Sequence, residues 1–332
     1  MSELAGATDP GFEDRCIGCL LGTACGDILG AGVEGWSATE IRETYGELRD
    51  FYESDRGFGC YTDDTQMTVA LAASLVSRGH VDAAHVAAKY AQHYEGWRGY
   101  GGAAHRAMRA LESGADYHGT GRLEFPEGSY GNGGAMRIAP VGLVYRHASS
   151  DVLQQAVVDA ILCTHVHPEA VDAAFVQAKA VALAATIDAA AFDPRRFLSE
   201  LHSVSRTTIM QAKLEKLSRG LREDEDDIVV IASVGNRVRA SEAVAAALWA
   251  FHKYGGNPEE CIIRAVSFGG DTDTIGAMAG ALVGALHGSS WIPARWYDHI
   301  ENGPRGRDDI VELGRRLAAV KYPAAEPHAD GP

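Results

Sequence analysis

Residues 275–286 constrain the fold more than any other stretch, because they are apolar or small at nearly every position. That pattern is typical of a helix that is buried on all sides and closely approached by its neighbours. Two acids, Asp271 and Asp273, stand where this helix begins. Carboxylates removed from water are strongly disfavoured unless they are neutralised, so the two acids predict a capping role, a cationic partner or a metal ion.

A second helix opening repeats this construction, since Asp63 and Asp64 precede an apolar helix predicted over residues 65–77. Two acidic helix openings predict one shared site. The donors there are hard oxygens without thiolates or paired histidines, which favours Mg²⁺, Mn²⁺ or Ca²⁺ over zinc or copper. The candidate ligands are Thr62, Asp63, Asp64, Asp271, Asp273 and Thr274.

Helix capping is the simpler alternative for these acids, because an aspartate that accepts backbone amides contributes about 1 kcal/mol to a helix. Capping needs one acid per helix, whereas each opening has two acids with threonines beside them. We therefore favour a metal site, in which a shared carboxylate bridges a pair of cations.

The composition limits the classes of function. The chain has 332 residues and a formal net charge of −15, which argues against a general nucleic-acid or acidic-membrane surface. Its six cysteines are scattered, which favours reduced thiols. The N-terminus is acidic and polar, and no apolar run reaches about 18 residues. We expect a cytoplasmic protein without a membrane segment or a direct nucleic-acid partner.

The spacing of apolar residues predicts an all-α protein, folded as a compact orthogonal helical bundle. No linker divides the chain, so we expect one domain over residues 14–322. We also expect a disordered leader at residues 1–13 and a disordered tail at residues 323–332. Residues 227–232 fit a short strand and a helix start equally well. The predicted helices lie at residues 16–27, 65–77, 83–94, 103–111, 138–145, 152–162, 168–188, 194–217, 240–254, 257–267 and 309–320.

Residues 128–134 form the densest glycine segment of the chain. Glycines permit positive φ and let backbone amides approach a ligand, so this loop suits a phosphate, although tight turns between helices use the same residues. His165, at a junction between two predicted helices, is a candidate to hydrogen-bond a phosphate or a ribose. Glu34 has small and apolar neighbours, where a carboxylate is either exposed on a loop or held for chemistry.

Five ordered motifs are specific enough to compare with known families. They are Gly26-Asp27 with Glu34, residues 61–65, residues 128–137, Thr164-His165 and residues 269–274. Together they resemble the ADP-ribosylglycohydrolases, which include dinitrogenase-reductase-activating hydrolases of bacteria and ADP-ribosylserine and poly-ADP-ribose hydrolases of animals. The resemblance covers nearly the whole chain. The loop form Gly-Ser-Tyr-Gly-Asn-Gly-Gly is most similar to the ADP-ribosylserine branch.

The resemblance implies an all-α fold with a binuclear Mg²⁺ or Mn²⁺ centre held by the six candidate ligands. It also implies that Glu34 matches a movable, catalytically important glutamate. Asn236 and Glu242 match the adenosine side of the site, where Ala245 replaces a frequent proline. The residues implied to bind the diphosphate or to stack on adenine are Phe125, Gly128, Ser129, Tyr130, Gly131, Asn132, Gly133 and His165.

The implied activity is Mg²⁺-dependent hydrolysis of the bond between ADP-ribose and a protein side chain, with serine favoured, or of conjugates such as O-acetyl-ADP-ribose or poly-ADP-ribose. Either Asp271 or Glu34 would take the proton of the attacking water. The partners would be ADP-ribosylated proteins or ADP-ribose conjugates, and we expect a monomer.

Three alternatives remain at this point. An ADP-ribosylarginine hydrolase belongs to the same family. A catalytically inactive, crystallin-like ADP-ribose binder would share the fold, but all the acids and both threonines are present here. A metal-dependent phosphohydrolase would use the same hard ligands to cleave phosphorus instead.

Overall fold

The computed structural model describes residues 10–321, in which every regular element of secondary structure is a helix. The prediction of an all-α fold is confirmed. Two short 3-10 helices lie at Gly96–Arg98 and Ala189–Ala191. The α-helices are α1 (Pro10–Ala31), α2 (Ala38–Tyr45), α3 (Asp63–Arg78), α4 (Ala83–His93), α5 (Gly102–Glu112), α6 (Tyr117–Thr120), α7 (Gly133–Met136), α8 (Ala139–Val144), α9 (Ser150–Ile161), α10 (Pro168–Ala184), α11 (Pro194–Val204), α12 (Thr208–Glu223), α13 (Asp227–Val234), α14 (Ala240–Tyr254), α15 (Pro258–Ser267), α16 (Thr272–His287), α17 (Ala294–Tyr297) and α18 (Arg307–Ala318).

The start of the chain differs from its predicted boundary. Helix α1 begins at Pro10, so residues 10–13 of the predicted leader are helical. The rest of that leader and the predicted tail at residues 323–332 lie outside the described residues. Residues 227–232, which fitted two kinds of element, belong to helix α13.

The predicted helix at residues 194–217 is wrong, because the structure breaks it into α11 and α12. The buried Asp172 carboxylate lies at the break and accepts hydrogen bonds from the backbone amides of Arg206 and Thr207 at 3.0 and 2.8 Å. It also accepts the Ser205 hydroxyl at 3.1 Å. These bonds replace helical ones, and Asp172 lies too far away in sequence for a local pattern to reveal them.

Helix α16 is buried along its length, and α1 runs antiparallel to it in the most extensive helix–helix contact of the described residues. Glycines on the two helices face each other at every turn. A Cβ atom on Gly280 would lie 1.9 Å from the Gly22 carbonyl oxygen, and one on Gly284 would lie 2.0 Å from that of Gly18. The predicted close approach of neighbours to this buried helix is therefore confirmed. It brings the C-terminal half of α1 beside the acidic start of α16.

This contact predicts that Gly280→Ala is strongly destabilising. Its Cβ would overlap backbone atoms that no side-chain rotation can move, so the helices must separate, at a cost of about 3 kcal/mol or more. Chemical unfolding at fixed cation concentration measures the change. Gly102→Ala is the control, because its Cβ would meet nothing closer than the Arg106 guanidinium at 3.8 Å. Equal stability of the two variants would contradict the prediction.

Candidate metal centre and active site

The two acidic helix openings meet in space. The Thr62 hydroxyl donates to Asp64 Oδ2 at 3.1 Å, and the Thr274 hydroxyl, from the other opening, donates to the same oxygen at 3.3 Å. Asp63, Asp271 and Asp273 lie in the first turns of the same two helices and are all buried. The two helix openings, which carry the six candidate ligands, are therefore in direct contact at Asp64, as expected for a shared site.

Capping does not account for these carboxylates. Asp271 is the N-cap residue of α16, yet its side chain makes no capping hydrogen bond. Helix α3 is capped by the Thr62 hydroxyl, which accepts the Asp64 amide at 3.2 Å. Asp64 Oδ1 is buried without a hydrogen-bond partner among the described residues. A buried oxygen without a partner is unfavourable, so this oxygen fits a ligand that brings positive charge.

Burial and mutual repulsion set the electrostatics of the centre. Burial raises the pKa of Asp63 to about 7, and the Asp27 carboxylate adds to the shift. The pKa values of Asp64 and Asp273 are also raised well above the ordinary value of an aspartate, first by burial and then by neighbouring carboxylates. Burial also raises the pKa of Asp271. Such a cluster either retains protons or takes up cations.

Glu34 contributes a further oxygen. Ligand atoms of Glu34, Asp271 and Asp273 lie within 4.8 Å of one another, close enough to hold one metal ion. The donors are carboxylates and hydroxyls, which suit a hard cation such as Mg²⁺ or Mn²⁺. The sequence predicted a catalytic role for Glu34, and the structure places it at the rim of the predicted metal centre.

The loop that carries Glu34 is attached to the start of α16. The Gly35 amide donates to the Gly270 carbonyl, and the Gly270 amide donates to the Trp36 carbonyl, both at 2.8 Å. The Glu34 side chain is 44% exposed, and its carboxylate lies 3.5 Å from the Arg56 guanidinium. The loop therefore presents an accessible carboxylate beside buried ones.

The glycine-rich loop lies next to the centre. The Asn132 side-chain amide donates to Asp271 Oδ2 at 2.5 Å, which joins the loop to the acidic cluster. The Gly128 amide donates to the Phe125 carbonyl, and the Gly131 amide donates to the Ser129 hydroxyl. Fewer backbone amides of the loop are therefore free to bind an anion than the sequence predicted. Within the described residues, the amides of Ser129 and Tyr130 have no backbone partner outside the helices, and those of Gly133 and Gly134 open helix α7, where amides lack an intrahelical partner.

The reason for the glycines also differs from the expectation. Within residues 128–134, Gly128 alone has a positive φ, of 86°. Gly133 instead makes room for a neighbour, since a Cβ there would lie 2.8 Å from Cε1 of His165. His165 is buried, and its pKa is lowered to about 3, first by burial and then by the Arg137 charge. The ring is therefore neutral and packs directly against the loop.

The residues expected on the adenosine side divide into two groups. Tyr130 and Phe125 are 52% and 48% exposed, so both rings offer free surface at the edge of the loop. Asn236 does not, because its side-chain amide donates to the carbonyls of Phe268 and Gly269 at 2.8 and 3.0 Å. Its role in this structure is to support the turn that leads to Asp271.

A family model described as ADP-ribosylglycohydrolase matches residues 8–327. The chain belongs to this family. ADP-ribosylhydrolase ARH3 of Bos taurus is 31% identical in an alignment that covers 92% of this chain and 93% of the relative. ADP-ribosyl-dinitrogen reductase glycohydrolase of Rhodospirillum rubrum is 29% identical, over 89% of this chain and 92% of the relative.

A solved structure described as "ADP-ribosylglycohydrolase-related protein complex" has a TM-score of 0.73 and 29% identity, and the match covers 94% of this chain and 100% of that one. The sequence resemblance is therefore confirmed, and the protein is a glycohydrolase of this family. None of its helices within residues 10–321 has the length and apolar character needed to cross a membrane.

Asp27 is a residue of this glycohydrolase that the ligand prediction missed. It is fully buried, and its carboxylate accepts the Thr62 amide at 3.0 Å and the Thr65 hydroxyl at 2.6 Å. Burial raises its pKa to about 6. Asp27 thus holds the first turn of α3, where Asp63 and Asp64 lie. The sequence signal for Asp27 was its position as an acid inside a glycine-rich, apolar helix.

Proposed function

We propose that this glycohydrolase uses two divalent cations, Mg²⁺ or Mn²⁺, to release ADP-ribose from protein side chains, with serine as the preferred attachment. The observation that carries the proposal is the buried Asp64 Oδ1, which lacks any partner among the described residues. It is supported by the ligand atoms of Glu34, Asp271 and Asp273, which lie within 4.8 Å of one another. The preference for serine rests on the loop form Gly-Ser-Tyr-Gly-Asn-Gly-Gly, which is similar to that of the ADP-ribosylserine branch.

The proposed ligands of the cations are Thr62, Asp63, Asp64, Asp271, Asp273 and Thr274. When bound, the cations would supply Lewis acidity that orients ribose hydroxyls and acidifies a water molecule. The protein supplies a rigid frame for them, because Asp27 fixes the Thr62 backbone and Asn132 fixes the Asp271 carboxylate.

Glu34 is the better candidate to take the proton of the attacking water. One oxygen of Asp271 already accepts the Asn132 amide, and its side chain is buried. Glu34 is accessible from solvent and pairs with Arg56 alone among the described residues. A general base must reach the water beside the anomeric carbon, and an accessible carboxylate at the rim of the centre satisfies that requirement.

The glycine-rich loop would bind the rest of the ligand. The available amides of Ser129, Tyr130, Gly133 and Gly134 would donate to the diphosphate. The exposed rings of Tyr130 and Phe125 would stack on adenine.

A substrate panel tests this function. Peptides ADP-ribosylated on serine or on arginine, O-acetyl-ADP-ribose and poly-ADP-ribose are incubated with enzyme and Mg²⁺, and the products are separated. We expect free ADP-ribose, released fastest from serine. AMP as the product would indicate a phosphohydrolase, binding without turnover would indicate a crystallin-like protein, and faster release from arginine would contradict the serine preference.

The raised carboxylate pKa values predict that cation binding stabilises the protein more at high pH. The pKa values of Asp63 and Asp27, about 7 and about 6, exceed the value of about 3.9 for an unfolded aspartate. Without cations, the folded protein therefore binds more protons than the unfolded chain between about pH 4 and pH 7, and its stability falls as pH rises through that window. Cations replace those protons.

Thermal unfolding of the metal-stripped protein measures this effect. We expect Mg²⁺ to raise Tm more at about pH 8 than at about pH 5.5. Asp63→Asn is the matched variant, and it should show a smaller response to both pH and Mg²⁺. The same Mg²⁺ response at both pH values in the unsubstituted protein would refute the prediction.

A further inference from the structure

Arg137 is a buried cation directly behind the glycine-rich loop. Its side chain is 0% exposed. Its guanidinium donates to the Gly133 carbonyl and the Thr164 hydroxyl, both at 2.5 Å, and to the Tyr90 hydroxyl at 2.9 Å. It also lies 4.5 Å from the centroid of the Tyr90 ring. All of these partners are neutral, and no carboxylate of residues 10–321 pairs with Arg137.

A second buried arginine of the same chain shows the usual arrangement. Arg98 is 5% exposed, and its guanidinium forms ion pairs with Glu95 at 2.7 Å and with Glu301 at 2.6 Å. A buried charge without a partner is destabilising by several kcal/mol, so fully buried arginines are normally paired. The fold neutralises Arg98 and leaves the charge of Arg137 uncompensated.

Arg137 lies close enough to the glycine-rich loop for its positive charge to act on a ligand bound there. Nη1 donates to the Gly133 carbonyl and lies 3.8 Å from the place that a Cβ on Gly133 would occupy, so the guanidinium is in direct contact with the loop backbone. The Thr164 hydroxyl, which Arg137 contacts, also lies 2.9 Å from Nδ1 of His165. Arg137 therefore touches both the loop and the support of the histidine that packs against it.

Nearby groups do not supply this charge. His165 is neutral, as described above. Arg239, which lies 5.1 Å from the Tyr130 ring, is neutralised by a two-point ion pair with Glu169 at 2.7 and 2.8 Å. Arg137 is therefore a buried positive charge beside residues 128–134 that no carboxylate of the described residues offsets.

We propose that Arg137 is a positioning residue whose uncompensated charge, acting through Gly133 and Thr164, makes the loop selective for the anionic diphosphate of the ligand. The inference rests on the proposed function, because it takes ADP-ribose as the ligand of the loop. Arg137 does not touch the ligand. It holds the Gly133 carbonyl of the loop and the Thr164 hydroxyl behind it in place. Its positive charge, which no carboxylate of residues 10–321 offsets, attracts the negative charge of the diphosphate, and such an attraction is strong where water is excluded.

The test compares Arg137→Met, which removes the charge, with Arg137→Lys and Tyr90→Phe, which keep it but each lose hydrogen bonds. Calorimetry gives the affinities for ADP-ribose, for adenosine and for Mn²⁺, and thermal unfolding reports on the fold. We expect Arg137→Met to bind ADP-ribose at least about 10-fold more weakly, with adenosine and Mn²⁺ affinities unchanged. The two variants that keep the charge should bind ADP-ribose within about fivefold of the unsubstituted protein.

The outcomes separate this inference from the proposed function. Unsubstituted protein that binds ADP-ribose no better than adenosine would overturn both. Tight binding that survives Arg137→Met, or that is lost equally in the Met and Lys variants, would overturn the role of Arg137 alone. If Arg137→Met does not fold, Arg137→Lys and Tyr90→Phe still decide, because loss of ADP-ribose binding in both folded variants would show that the contacts matter and the charge does not.

Discussion

We expect Asp271→Asn to lower kcat/KM by about 1000-fold or more and to leave the helices intact. The substitution removes one negative charge and one ligand oxygen from the centre. The Asn132 amide, which donates to Asp271 at 2.5 Å, still finds an oxygen acceptor on the new side chain. Removal of a buried like charge also relieves repulsion with Asp273, so the metal-free variant is at least as stable as the unsubstituted protein.

Steady-state hydrolysis with Mg²⁺ and calorimetric titration with Mn²⁺ measure the two consequences of this change. Both turnover and cation binding should be lost. Asp298→Asn is the control, because Asp298 is exposed and its side chain makes no hydrogen bond or ion pair with the described residues. Normal turnover by Asp271→Asn, or by thoroughly metal-stripped enzyme, would exclude the proposed metal centre.

The helices and the acidic openings could be predicted because local sequence determines them. The run of small and apolar residues at 275–286 requires a buried helix, and two acids at its start require a compensating group. The same logic applied to Asp63 and Asp64. Both patterns lie within a few residues, so the fold class and the meeting of the two openings followed without knowledge of tertiary contacts.

Contacts between distant residues could not be predicted in this way. Asp27 accepts the Thr62 amide at the start of α3, although it lies 35 residues earlier in the sequence. Asp172, in α10, accepts the Arg206 amide just after the end of α11. Each is a buried acid whose partners are mainly backbone amides and hydroxyls, which carry no sequence signal. The sequence showed that such acids need partners, but the partners became visible only when the helices were placed.

The glycine-rich loop shows a different limit. The density of glycines predicted a loop that approaches a ligand through its backbone. The expected cause was positive φ and open backbone amides, whereas at Gly133 the cause is the ring of His165, whose Cε1 would lie 2.8 Å from a Cβ at that position. Local rules identify that a glycine is needed, and a tertiary contact decides why.

Glu34→Gln is expected to lower kcat by on the order of 100-fold while Tm is preserved. Glutamine keeps the size and hydrogen-bonding shape of the side chain but cannot take a proton from water. The Glu34 side chain is 44% exposed and its loop is held by backbone bonds to Gly270, so the fold does not depend on its charge. Glu43→Gln is the control, because Glu43 is exposed on α2 and forms no ion pair with the described residues.

Glu34 could act as a proton acceptor or as a metal ligand, because its carboxylate lies at the rim of the centre and within 4.8 Å of ligand atoms of Asp271 and Asp273. The cation affinity of the variant distinguishes these two roles. A proton acceptor that is not an essential ligand predicts unchanged Mn²⁺ and ADP-ribose affinities together with slow turnover. A parallel fall in Mn²⁺ affinity and kcat would make Glu34 a metal ligand instead. A variant that keeps more than about half of the normal kcat would remove Glu34 from the reaction and leave proton transfer to Asp271.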